Sequence, residues 1–240
     1  MRKRENQRNK IVVYTAIMGE YEPLRKPSYV SKNVDYLCFT DNKKLTSKFW
    51  TPVVIEESPL DPTRKARQLK IKGHPMLEKY DYTVWIDGNM DLIGDVTALI
   101  ARHFLATEKR EPKSAASLMV CFKHPSRDCV YEEAEACIRY QRDSAEAIRK
   151  QAAKYKSAGY PNHHGMIESN VLIRKNKSPK LKRVMEDWWQ EVVTESRRDQ
   201  MSFNYVAWKH DFHYQVMSGH SHGKSAYFQI RYNHRKEQSE

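Results

Sequence analysis

Tyr82-Thr83-Val84-Trp85-Ile86-Asp87-Gly88-Asn89 is an apolar run that stops on two oxygen-bearing side chains separated by a glycine. Its β-branched and aromatic residues predict a buried strand over 82–86. Two readings of the strand's end compete. Asp and Asn flanking Gly make an ordinary tight turn. The same side chains at the carboxyl end of a sheet strand can present oxygen ligands to a hard cation and its diphosphate. The tripeptide alone leaves this choice to its surroundings.

Outward from this strand, apolar runs alternate with breakers in a strand and helix pattern without repeats, which predicts an α/β sheet. Strands are expected over 11–17, ending at Gly19, over 36–40, ending at Asp41-Asn42, and more weakly over 53–55. Asp61-Pro62 is an N-cap followed by a first-turn proline, predicting a helix that runs to about Lys72 before Gly73 and Pro75. Beyond Asp87, a helix capped by Asp95 and a strand over 118–122 follow. A helix or helix pair spans 130–156, and a strand covers 170–174. Ser178-Pro179 opens a helix carrying Leu181, Val184, Met185, Trp188 and Trp189 at core spacing. A last helix over 200–209 and a strand over 213–217 complete the pattern.

At 240 residues with 40% apolar content, the chain suits one large domain, expected over 11–230 between polar tails at 1–10 and 231–240. Lys and Arg total 42 against 30 Asp and Glu, a formal charge of +12, so a polyanion, an anionic membrane surface or a nucleotide diphosphate would all suit its field. No run approaches the length of a membrane-spanning helix, which leaves peripheral contact as the only expected membrane association. No signal-like segment follows the basic N-terminus. Cys38, Cys121, Cys129 and Cys137 include no Cys-x-x-Cys pair, which argues against a zinc knuckle or a disulfide framework and fits the cytoplasm.

Several groups offer chemistry. Arg64, Arg67, Lys70 and His74 recur at helical spacing as a basic stripe suited to phosphates or to a solvated face. Gly219-His220-Ser221-His222-Gly223-Lys224 joins imidazole ligands, a permissive backbone and a cation within six residues. Glu168 and Asp199 stand beside element starts, as base, sugar-binding or capping groups. His124, Arg127, Asp128, Glu132 and Glu133 form a charged cluster fit for an acceptor or for a helix start. The adjacent His163-His164 pair lacks helical ligand spacing. P-loop, Gly-x-Gly-x-x-Gly, His-Glu-x-x-His and Gly-x-Ser-x-Gly signatures are missing, and no aromatic-basic module for specific nucleic-acid binding is present.

The ordered series Val12-Val13-Tyr14-Thr15-Ala16, Gly19-Glu20-Tyr21-Glu22, Phe39-Thr40-Asp41, Arg64-x-x-Arg67-x-x-Lys70, Trp85-Ile86-Asp87-Gly88-Asn89, His124-Pro125-x-Arg127, Tyr131-Glu132-Glu133, Glu168-x-Asn170 and Arg198-Asp199-Gln200 resembles the glycosyltransferase-like domain family named after plant TOD and MUCI proteins. That family is similar to GT-A nucleotide-diphospho-sugar transferases. The resemblance implies a single-domain, Rossmann-like, mixed but mostly parallel sheet flanked by helices, with a metal-binding Asp-x-Asp after a central strand.

Here Asn89 stands where that motif has its second Asp, which removes one negative charge from the site. The resemblance implies Mn²⁺ or Mg²⁺ on Asp87, Asn89 and His220, with His222 as rival ligand. Asp41 would lie near the nucleoside, and Arg64, Arg67, Lys70 and Lys224 would serve the donor diphosphate. If transfer inverts the sugar, Glu168 or Asp199 would act as base toward a glycan or small-molecule acceptor, and if it retains no separate strong base is needed. It also leaves two other activities open, a metal-dependent lipid amidase of ceramidase type and a non-catalytic nucleotide- or glycan-binding domain.

Overall fold

The computed structural model describes residues 9–106 and 117–231. The strands are β1 (Ile11–Ile17), β2 (Val34–Thr40), β3 (Thr51–Val54), β4 (Tyr82–Ile86), β5 (Met90–Leu92), β6 (Met119–Lys123), β7 (Ile167–Lys175), β8 (Gln215–Val216) and β9 (Phe228–Ile230). Seven of them form one sheet in the order β3-β2-β1-β4-β7-β6-β8, in which β7 alone runs against the others. This is the mixed, mostly parallel α/β sheet expected from the sequence.

Its strands are continuous apolar runs because helices cover both faces. Val12, Tyr14, Leu37, Phe39, Trp85 and Leu172 pack against α1 (Pro62–Ile71), α3 (Val130–Arg139), α4 (Ala145–Ser157), α5 (Pro179–Thr194) and α6 (Asp199–Lys209). Alternate residues Ile11, Val13, Cys38, Val84, Ile86 and Ile173 pack against α2 (Val96–Ile100) and the π-helical turn Ala101–Leu105 that extends it. The α1 start follows its sequence signals: Asp61 accepts from the Arg64 N–H at 3.0 Å, and Pro62 occupies the first turn. None of the described helices is long and apolar enough to cross a membrane.

Several boundaries differ from expectation. β2 starts earlier, at Val34, and β3 lies over Thr51–Val54, since pairing with β2 rather than side-chain type sets its register. The segment 130–156 is a helix pair, broken at residues 140–144 where Gln141 takes a left-handed φ of 51°. The strand at 213–217 shrinks to Gln215–Val216. The β7 strand begins earlier, so Glu168 lies within it.

β5 and β9 form a separate antiparallel pair, too short for a period-two pattern to reveal. Most of both expected tails falls outside the described residues, but their inner ends are fixed. Lys10 donates its N–H to Asp81 Oδ2 at 2.8 Å, and Arg231 pairs with Asp91 while its N–H reaches Asn89 O at 3.0 Å.

Candidate donor-binding site

Parallel pairing brings the carboxyl ends of β1, β2 and β4 to one sheet edge, so Gly19, Asp41 and Asp87 share it. Because β7 is antiparallel, its amino-terminal residues reach the same edge. Ile86 pairs with Val171, and the Asp87 N–H donates to Asn170 O at 2.9 Å. A register shift in β6 between Cys121 and Phe122 leaves residues 169–171 of β7 without β6 partners. Such a bulge re-aims side chains.

Asp87 is held on one oxygen. Its Oδ1 accepts from Trp85 Nε1 at 2.7 Å and faces Lys70 Nζ at 3.3 Å. Lys70, 1% exposed, also lies 2.7 Å from Asp199 Oδ2 and donates to Ser169 Oγ at 3.1 Å. Ser169 in turn donates to Asp199 Oδ2 at 2.9 Å, and Arg67 Nε sits 3.0 Å from Asp199 Oδ1 as an ion pair outside hydrogen-bond alignment. The result is an ionic chain Arg67, Asp199, Lys70, Asp87. Burial pushes the Asp199 carboxyl upward, but Arg67 and Lys70 outweigh it and hold that carboxyl far below the usual carboxylate range. Asp199 thus anchors two cations, an arrangement that disfavours proton uptake by its carboxylate.

The expected basic stripe is split. Arg67 and Lys70 reach the carboxylates Asp199 and Asp87, whereas Arg64 turns away to Asp61 Oδ2 at 3.0 Å and to the last carbonyls of α5, Val192 O at 3.3 Å and Glu195 O at 3.2 Å. A helix carboxyl end attracts a guanidinium, and Arg64 is bonded at the end of α5. His74 caps the 3₁₀ turn Pro75–Lys79 and packs on Phe39 at 5.0 Å between centroids.

The β5/β9 pair brings in the 219–224 loop. Ile230 N–H donates to Ser221 O at 2.9 Å, and Ser221 donates its hydroxyl to Glu168 Oε1 at 2.6 Å. His222 Nε2 lies 3.7 Å from the same oxygen. Gly219 has φ +86°, and a Cβ there would meet Lys224 O at 2.2 Å, so only glycine closes this loop. Lys224, itself at φ 63°, is exposed at the loop's end. The Asn89 side chain is buried at 4% exposure, and Asp41 accepts the Gly19 N–H at 3.0 Å. Buried polar atoms without a hydrogen-bond partner among the described residues include Asn170 Oδ1 on β7, His220 Nδ1 in this loop and Arg198 Nε at the α6 start.

Trp85, Ser169 and Ser221 were not singled out from the sequence. Trp85 reads as strand filling, Ser169 lies just before the expected strand, and Ser221 matters only once β9 places it. Among the described residues, no closed multi-histidine cluster of the kind a lipid amidase would favour is present. Among the described residues, three His, Cys, Asp or Glu ligand atoms converge within 4.8 Å only at Cys129, Glu132 and His163.

The TOD1/MUCI70 glycosyltransferase-like domain model matches residues 1–221. This chain belongs to that family. Among relatives of this TOD1/MUCI70 domain, the probable hexosyltransferase MUCI70 of Arabidopsis thaliana is 26% identical over 224 residues, covering 82% of this chain and 37% of the plant protein. The chain thus spans little more than a third of that relative's length. The apo structure of the bifunctional glycosyltransferase WbbM aligns with a TM-score of 0.47 and 9% identity, covering 87% of the TOD1/MUCI70 chain and 39% of WbbM.

Proposed function

We propose that residues 11–230 form one catalytic unit that transfers a sugar, a hexose on the analogy of the plant relative, from a nucleotide-diphosphate donor to an acceptor hydroxyl. The observation that carries this reading is the buried chain Arg67, Asp199, Lys70, Asp87 at the carboxyl edge of the parallel strands. Ligands of open α/β sheets bind at this edge, and the chain there alternates two cations with two carboxylates. Family membership supports the same activity.

A divalent cation fits the residues present. Trp85 and Lys70 occupy Asp87 Oδ1 and leave Oδ2, while His220 Nδ1 is a buried nitrogen without a partner. With Asn89 supplying an amide oxygen, this mixed set would hold Mn²⁺ more readily than Mg²⁺, because imidazole suits transition ions. Such an ion would stabilise charge on the departing diphosphate.

The chain's own groups do the remaining work. Arg67, Lys70 and Lys224 are the cations we assign to the diphosphate, and Asn89 in the place of a second Asp leaves one less negative charge beside them. Asp41, just past the end of β2, is the group we assign to the nucleoside. If transfer inverts the sugar, Glu168 is the group we assign to the acceptor proton, with Ser221 and His222 orienting its carboxylate. The acceptor, a glycan or a small molecule, would approach from the β6 and α6 side.

A panel of uridine- and guanosine-diphosphate sugars, assayed with Mn²⁺ for slow donor hydrolysis, tests the reading without knowledge of the acceptor. Hydrolysis of one donor is expected. Neither hydrolysis nor nucleotide-dependent thermal stabilisation across the panel would overturn it.

A further inference from the structure

On the far side of β6 lies a cluster that the donor cleft does not use. Cys129 caps α3, and Glu132 follows three residues on, so both side chains share one face of its first turn. His163 arrives from the loop before β7, which is fastened there by the Gly165 N–H donating to Asp128 O at 2.9 Å. Its Nδ1 lies 2.7 Å from Asp128 Oδ1, and its Nε2 is 3.9 Å from Glu132 Oε1. Cys129 Sγ, a Glu132 oxygen and a ring nitrogen of His163 all fall within 4.8 Å of one another.

From this convergence we infer that Cys129, Glu132 and His163 bind a zinc ion, with Asp128 orienting the histidine. Thiolate, imidazole and carboxylate together select a borderline-soft ion over the hard cations suited to Asp87. A carboxylate on the outer nitrogen of a ligating histidine is the usual support of such a ligand.

Bond lengths of about 2.0–2.3 Å require ligand separations of roughly 3.3–3.8 Å. Glu132 and His163 are exposed and can close the difference by side-chain rotation, while Cys129 is buried and fixed. On binding, the Cys129 thiol releases its proton to solvent and its sulfur forms the metal bond. Three protein ligands leave a fourth position for water. The ion would tie α3 to the segment that enters β7 just before Glu168. A zinc site therefore arises here without any Cys-x-x-Cys pair.

The test uses the tag-free chain with Zn²⁺ and Co²⁺. About one equivalent of zinc should survive dialysis, and Co²⁺ should give the near-ultraviolet thiolate-to-metal band of a tetrahedral site. Cys129→Ser should abolish that band, and Asp128→Asn should weaken zinc affinity about tenfold. Should Cys129→Ser fail to fold, the exposed His163→Gln and Glu132→Gln carry the test through lost zinc affinity. Asp87→Ala should leave zinc binding unchanged, which separates this site from the donor cleft. Absence of the cobalt band, or zinc affinity unaltered in His163→Gln and Glu132→Gln, would overturn the proposal.

Discussion

Lys70 and Asp199 form a buried ion pair, Nζ to Oδ2 at 2.7 Å, that joins α1 to the first turn of α6 across the carboxyl edge of the sheet. Ser169 of β7 bonds both partners, so three elements distant in sequence meet at one charge pair. Lys70 also faces Asp87 and Arg67 flanks Asp199, so any change to this pair disturbs both carboxylates of the candidate site.

Asp199→Asn should destabilise the fold by about 3 kcal/mol, because Arg67 loses its carboxylate and Lys70 keeps only that of Asp87. Its folded-state carboxyl is held below the unfolded value, so its contribution is present at neutral pH and is lost as pH falls. Urea denaturation should therefore show the gap between wild type and variant narrowing below about pH 4. A gap constant from pH 7 to pH 2 would contradict the ionic account.

Arg64→Ala and Arg67→Ala should separate cleanly. Arg64 serves the α5 terminus, so its loss should cost about 1 kcal/mol of stability with nucleotide-diphosphate affinity unchanged. Loss of Arg67 should weaken uridine- or guanosine-diphosphate binding at least about tenfold, a difference of roughly 1.4 kcal/mol. Calorimetric titration decides, and equal affinities in the two variants would refute the division of the stripe.

Asp87→Ala should abolish the thermal stabilisation by nucleotide diphosphate and Mn²⁺ while the chain stays folded. Lys70 retains Asp199 and Ser169 in that variant, so no buried cation is orphaned. A melting-temperature series with and without ligand reports both effects. Normal stabilisation in the variant would remove Asp87 from the site.

Gly219→Ala should disrupt the 219–224 loop. A Cβ at φ +86° would collide with Lys224 O, a backbone atom that cannot rotate aside. Strain of about 1–3 kcal/mol is expected, together with weaker donor binding. An unchanged melting temperature and an unchanged nucleotide affinity would show that the loop is looser than described.

Two histidines should titrate on opposite sides of the ordinary imidazole value. Asp128 raises His163, whereas burial lowers His124, even though Glu133 opposes that shift. The His163 pairing therefore acts below about pH 6.5 and fades as pH rises through its raised value, while protonation of His124 opposes folding as pH falls below about 6.5. Ring resonances followed by NMR test this, and Asp128→Asn should return His163 toward the unperturbed midpoint.

Where local chemistry decides structure, the sequence is legible. Asp61-Pro62 and Ser178-Pro179 mark two helix starts because a side-chain oxygen caps and a proline needs no bond there. β7 reaches back beyond its expected start at Asn170, through the polar Ser169 and Glu168 to Ile167. Their polarity belongs to the site, which overrides the strand's hydrophobic pattern. Arg64 and Arg67 show the same limit. Both lie on one helical stripe, and the positions of α5 and α6 decide that Arg64 meets the α5 carbonyls and Arg67 the Asp199 carboxylate.

By itself the sequence determined the α/β class, the strand ending at Asp87 and the family motifs, because these rest on periodicity, capping and short-range spacing. Only the tertiary structure decided the antiparallel course of β7, the turning away of Arg64, the conversion of Asp199 into an anchor and the meeting of Cys129 with His163. Each depends on elements 30 or more residues apart arriving at one place. Charge and hydrogen-bond energies fall off over a few ångströms, so residue order cannot express them until the chain is packed.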